Sequence, residues 1–205
     1  MSRIKNIIFD LGGVIYDIDY HKTIDAFSNL GIDQADVLYS QAKQTDLFDA
    51  YEIGAISSEV FIQKLKSKLN KDLEDSDIIN AWNALLIGVP KCRLDFLLEV
   101  KLSFNTFLLS NTNDLHIQQI NKELEEMKVN ELKPFFHEVF LSYELGMRKP
   151  HTETFIEVVN RLGINPTETL FIDDSPQHLI GAKAAGLITY HHTTGDIVDV
   201  FPTLF

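Results

Sequence analysis

The stretch IIFDLGGVIYD, residues 7–17, decides how the whole chain is read. Its first three residues, Ile7-Ile8-Phe9, are apolar, and the run stops at a carboxylate, Asp10. Gly12 and Gly13 follow at once, then a second apolar stretch, Val14-Ile15-Tyr16. A short apolar run closed by an acid and a glycine pair has the form of a buried strand that delivers one charged group to a sharp turn.

The strand half of that pattern recurs. Apolar runs at 105–109 (NTFLL), 139–142 (VFLS), 169–172 (TLFI) and 187–191 (LITYH) join 4–9 as five short strands. Helical patterns separate them: a highly charged one at 114–128, one at 151–162 closed by Gly163, and one at 176–185 with Pro176 in its first turn and Gly186 as its stop. Strands alternating with helices imply an α/β chain with a parallel sheet covered on both faces. Between the first and second strands the pattern changes. Residues 17–90 show helical periodicity at 21–31, 57–69 and 75–88 and no convincing strand. They read as a helical insertion, a small bundle beside the sheet. The expected division is a core of 1–16 plus 90–205 and an insertion of 17–89.

The bulk properties limit what such a chain does. Its 205 residues, 45% hydrophobic, suffice for one α/β domain with an insertion or for two small domains. A formal net charge of −12 argues against nonspecific nucleic-acid binding, since there is no basic surplus to displace counterions. It leaves room for a small phosphorylated substrate, because a bound divalent cation can provide the positive field. A single cysteine, Cys92, cannot close an internal disulfide and suits a reducing compartment, with the thiol read as structural rather than catalytic. The first six residues do not resemble a signal peptide, and no apolar run reaches the length of a membrane span. The expected setting is the cytoplasm, as monomer or homodimer.

In open parallel sheets, ligands bind outside the carboxyl ends of the strands. Four polar groups fall at such ends: Asp10, Ser110-Asn111-Thr112, Lys149 and Asp173-Asp174. Each has a plain structural reading as a turn former, a helix cap or a surface lysine. All four at one edge of one sheet point to chemistry instead. Asp10 is a candidate nucleophile, able to form an acyl-phosphate. Asp10 and Asp174, with Asp173 beside it, are hard oxygen ligands suited to Mg²⁺. Lys149 would neutralise phosphate and carboxylate charge, Ser110 and the amides near Asn111 would hold phosphate oxygens, and Gly12 and Gly13 would let backbone groups approach the metal and phosphate.

At this point the sequence resembles the haloacid dehalogenase superfamily. Four stretches carry the resemblance in order: FDLGG (9–13), LSN (109–111), GMRKP (146–150) and FIDDS (171–175). The subgroup that includes bacterial glucose-1-phosphate phosphatases is the most similar. The resemblance implies a Rossmann-like core with an all-helical cap inserted after the first strand, the cap choosing the substrate. It implies Mg²⁺-dependent hydrolysis of a small phosphorylated metabolite, sugar phosphates first, through a phosphoaspartate. By motif position, Asp10 matches the nucleophile, Ser110 the phosphate-binding hydroxyl, Lys149 the phosphate lysine, Asp174 the metal carboxylate and Asp173 the adjacent acid. The backbone carbonyl of Gly12 would complete the metal set.

One position departs from the common phosphatase form. That form has a second aspartate two residues after the nucleophile, as general acid and base, and here the position is Gly12. Such a group typically supplies on the order of 10²–10⁴-fold. Three explanations stay open: a leaving group that needs little help, replacement by Asp17, Asp19 or His21, or a slow or inactive relative. The rival readings are a metal-independent dehalogenase, against which the adjacent acids Asp173 and Asp174 argue, and a noncatalytic binding protein, against which the retained charged set argues. The seven histidines show no metal-ligand spacing; His21, His137, His151 and His178 read as caps or surface residues. Trp82 reads as core of the helical insertion, and the terminal VFPTLF as packing on the core or on a second chain.

Overall fold

The computed structural model describes residues 4–32, 46–69 and 72–204. Five parallel strands form its sheet: β1 (Asn6–Phe9), β4 (Asn105–Ser110), β5 (Glu138–Leu141), β6 (Thr169–Asp173) and β7 (Ile188–His191), in the order β5-β4-β1-β6-β7. β1 is central, with Ile7 opposite Thr106 on one side and Leu170 on the other. The chain order therefore reverses at β1, and this switch point places Asp10 at the mouth of the sheet.

The period-two alternation of β1 feeds two cores. Ile7 and Phe9 face a cluster with Leu97 of α5 (Lys91–Lys101) and Leu124 of α6 (Asp114–Glu126). Ile8 faces the opposite cluster, with Phe155 of α8 (Thr152–Leu162) and Leu179 of α9 (Pro176–Ala184). Ile7, Ile8 and Phe9 all have 0% exposure, which is why that run is apolar without interruption. Each such burial stabilises by about 1.5–3 kcal/mol. Phe201 packs against Phe9, Phe96 and Phe104, so the terminal segment closes this core; Phe205 lies outside the described residues.

Between β1 and β4 lie α1 (Tyr20–Asn29), α2 (Asp46–Glu52), α3 (Ser58–Leu69) and α4 (Asp75–Asn83). They share a third hydrophobic cluster, built around Phe27, Phe48, Phe61, Leu65, Ile78 and Trp82. Two findings correct the sequence reading here. The helix expected over 75–88 stops at Asn83, and residues Leu86–Gly88 form strand β3, paired antiparallel with β2 (Asp17–Ile18). Strands of two and three residues are too short to show alternation, so nothing in the local sequence marks them. Cys92 is exposed on α5. Among the described residues, no helix is long and apolar enough to cross a membrane.

Candidate active site

The carboxyl ends of β1, β4 and β6 open into a cavity of about 460 Å³. Asp10, Gly12, Ser110, Asn111, Lys149 and Asp174 all line it. The sheet thus gathers the four sequence motifs at one edge, as parallel strands in register must.

Lys149 is the centre of the site. Its main chain is clamped by Asn111, whose Oδ1 accepts from the Lys149 amide at 2.9 Å and whose Nδ2 donates to the Lys149 carbonyl at 2.8 Å. The Asn111 side chain is thereby committed to holding the lysine. The ammonium, 0% exposed, donates to Asp10 Oδ1 at 2.7 Å and to Asp173 Oδ2 at 2.8 Å. Burial works against the charge on Lys149, but Asp10 and Asp173 outweigh it and hold the ammonium above its usual range.

The carboxylates divide by surroundings. Burial pushes Asp10 up to about 6, against the pull of Lys149 and with a further push from Asp173. Burial would raise Asp173 as well, yet Lys149 and His178 hold it below its ordinary value. Asp173 Oδ1 also accepts from the Ser175 amide at 2.8 Å and lies 2.9 Å from His178 Nδ1, so that ring nitrogen is the protonated one. Asp174 is raised by burial and by its neighbour Asp173. Its carboxylate lies directly over Gly13: a Cβ at position 13 would be 2.3 Å from Asp174 Oδ2. Gly13 has φ +74, so glycine there serves both the turn and the acid's approach. Gly13 faces a second cavity, shared with Asp174 and residues 192–195.

The far wall comes from the helical segment. Tyr20, Phe48, Glu52 and Trp82 line the same cavity, together with His116 of α6 and Arg148. Arg148 ties the two sides together, pairing with Asp49 and, at 3.1 Å, with Glu52. Tyr51 Oη donates to Ser58 Oγ at 2.9 Å, and Ser58 Oγ donates to Asp114 at 2.8 Å, a second tie to α6.

Several of these residues escape sequence reasoning. His178, expected as a cap or surface residue, instead holds Asp173; its only signal is its place on the helix that follows the paired acids. Glu52, Tyr20 and His116 carry no local mark at all, and Arg148 lies within the GMRKP stretch without any role read for it. Conversely, the three residues weighed as replacements for an acid at position 12 lie outside the cavity. Asp17 pairs with Arg93 at 2.7 Å, Asp19 caps α1 by accepting from the His21 amide, and His21 is exposed. Trp82, expected as core of the helical insertion, packs against Phe48 and Phe61 and is also part of the cavity wall. The stretch after Ser110 likewise does two jobs, since Asn113 caps α6 while Ser110 and Asn111 face the cavity.

A family model described as haloacid dehalogenase-like hydrolase matches residues 4–186. A D-ribitol-5-phosphate phosphatase from Bacteroides thetaiotaomicron is 33% identical over 192 residues, covering 94% of this chain and 93% of that protein. The structure of a HAD family enzyme from the same organism superposes with a TM-score of 0.90 at 32% identity, covering 98% of this chain and 99% of the other. A wild-type complex of that enzyme with magnesium and inorganic phosphate gives 0.84 at 34% identity, with coverage of 92% and 93%. The shared motifs, the sheet order and these likenesses agree: the chain belongs to the haloacid dehalogenase-like hydrolase family.

Proposed function

We propose that this protein is a Mg²⁺-dependent phosphatase of a small polyhydroxylated phosphate ester, a sugar or polyol phosphate, working through a phosphoaspartate on Asp10. In this reading residues 17–89 are the cap that covers the substrate, and 1–16 with 90–205 are the core. The observation that carries it is the fully buried Lys149 ammonium held between Asp10 and Asp173, on a cavity that Ser110 also lines. A structural lysine has no reason to be so placed; a phosphate site needs one.

The donor set fits the metal. Asp10 and Asp173 share one lysine, Asp173 also meets one histidine, and Asp174 adds a third carboxylate beside them; burial holds Asp10 and Asp174 above their ordinary values, so the site is short of positive charge. Asp10, Asp174 and the Gly12 carbonyl are the hard oxygen donors that would hold Mg²⁺, with Asp173 behind them engaged by Lys149, Ser175 and His178. When bound, Mg²⁺ supplies positive charge to the phosphate oxygens and favours the ionised form of Asp10.

The protein's own groups divide the rest of the work. Lys149 donates to Asp10 Oδ1, which leaves Oδ2 to attack phosphorus. A bond forms between Asp10 Oδ2 and phosphorus as the bond to the ester oxygen breaks, and the departing oxygen takes a proton from solvent water to leave as the alcohol, a proton that the later attack of water returns to solvent. Water then attacks phosphorus, the Asp10–phosphorus bond breaks, and the carboxylate returns with release of phosphate. Ser110 and the amides beyond β4 hold the phosphate oxygens through both steps. The likeness to a D-ribitol-5-phosphate phosphatase supports the substrate class.

The test is phosphate release from a panel of pentitol, aldose and small-acid phosphates, with Mg²⁺ or with chelator. Turnover of the hydroxylated esters that requires Mg²⁺ and disappears in Asp10→Asn is the expected result. Turnover that survives in Asp10→Asn would overturn the phosphoaspartate, and turnover unaffected by chelator would overturn the metal.

A further inference from the structure

The cavity wall opposite Asp10 contains a hydrogen-bond donor whose tautomer the surrounding network dictates. Asn113 is 1% exposed, and its Oδ1 accepts two obligatory donors, the His116 amide at 3.1 Å and Trp82 Nε1 at 3.4 Å. Neither donor can turn into an acceptor, so the amide cannot be flipped. Asn113 Nδ2 must then face His116 Nδ1, which lies 3.1 Å away. Nδ1 is therefore the acceptor, and in the neutral ring the hydrogen sits on Nε2. Neutrality follows from burial, which pushes His116 down to about 4. The ring plane is fixed too, by stacking on Trp82 with centroids 5.2 Å apart and planes 15° apart.

That Nε2–H is buried and has no hydrogen-bond partner. The neighbouring Trp82 carbonyl favours a proton on His116 but completes no hydrogen bond to Nε2, and it accepts from Thr23 Oγ1 at 3.3 Å. Buried donors are nearly always paired, and one left unpaired on a residue that lines the cavity points to a ligand acceptor. A hydroxyl or ring oxygen arriving in the cavity would pair it, whereas an alkyl chain would seal it unpaired.

We propose that His116, held as its Nε2–H tautomer by Asn113, is a specificity-determining residue that donates a hydrogen bond to a hydroxyl oxygen of the leaving group. This rests on the phosphatase reading above and adds to it the residue that separates hydroxylated from alkyl phosphates.

The experiment compares a pentitol 5-phosphate with n-pentyl phosphate, the same chain length without hydroxyls. His116→Phe should lower the ratio of their kcat/KM values by about 10- to 100-fold, and His116→Gln, which keeps a donor, should restore part of it. An equal loss on both esters means that His116 only braces Trp82, and it overturns the proposal, as does a wild-type enzyme with no preference. A second readout does not depend on turnover. In ¹⁵N-histidine spectra of Asp10→Asn protein, His116 should show the Nε2–H tautomer, and its Nε2 signal should move with pentitol phosphate and not with n-pentyl phosphate. An Nδ1–H tautomer, or a signal that moves with neither ester, overturns the proposal. Absence of Mg²⁺-dependent turnover of either ester in the wild type would instead refute the phosphatase reading, and the spectra would still decide the role of His116.

Discussion

Replacing Gly13 by alanine should cripple metal binding, whereas the same change one residue earlier should be much milder. At position 13 the backbone has φ +74, and alanine in that left-handed region costs about 1–2 kcal/mol. The new Cβ would also sit 2.3 Å from Asp174 Oδ2 and 2.8 Å from its Cγ, closer than any real contact, so the carboxylate must swing away. At position 12 the backbone is ordinary, and the Cβ would meet only Ile18 Cδ1 at 3.0 Å, the end of a flexible side chain. For a chain of this size the strain at position 13 corresponds to a melting decrease of about 2–8 °C. Displacing Asp174 should weaken Mg²⁺ by about 10- to 100-fold, as loss of an orienting group typically does. The assay is thermal melting across a Mg²⁺ titration, which reads stability and metal affinity from one data set. A Gly13→Ala protein with the wild-type Mg²⁺ midpoint, or a Gly12→Ala protein with an equal loss, would refute the placement of Asp174 over Gly13.

Lys149→Met removes one partner from a buried ionic cluster, so metal-free protein should lose about 3–5 kcal/mol in urea unfolding; a loss under about 1 kcal/mol would mean the cluster tolerates its own repulsion. His116 stays neutral when folded, with a pKa of about 4 against 6.5 when unfolded, so the unfolded chain binds the extra proton first. Its contribution is intact above about pH 6.5 and is lost as pH falls toward 4, by about 3 kcal/mol in all. The difference between wild type and His116→Gln across that window should show this slope, and parallel curves would contradict it. Arg148→Met unties α2 from the sheet-end loop through partly exposed pairs worth about 0–1 kcal/mol in global stability. Amide exchange in 46–52 should rise and KM should increase; unchanged exchange would show that the other tie, through Ser58 and Asp114, is enough.

How much of this was legible in the sequence follows from how each residue is specified. Asp10, Ser110, Lys149 and Asp174 could be found because each follows a buried apolar strand, and strand runs such as 7–9 and 107–109 announce themselves by composition. The parallel sheet then brings those strand ends together without further instruction. The role of Asn111 was only half visible. Its position at the sheet edge was legible, but its clamp on the Lys149 main chain spans 38 residues and leaves no local pattern. The two glycines looked alike in sequence, and only the placement of Asp174 separates them.

The residues that escaped share a physical cause. His116, Glu52, Trp82 and Arg148 meet at the cavity wall because helices from two parts of the chain dock there, and docking depends on side-chain packing rather than on strand register. A chemistry site at a sheet edge can be read from order and spacing, since backbone pairing positions it. A specificity wall cannot, since any apolar helix face satisfies the same local rules. This asymmetry also locates the consequence of Gly12. With no acid two residues after Asp10, and with Asp17, Asp19 and His21 outside the cavity, the proposed mechanism assigns hydrogen bonding to the leaving group to the docked wall. On the proposed mechanism an ester that cannot engage the wall loses the positioning of its leaving group, and with it part of the rate as well as the binding.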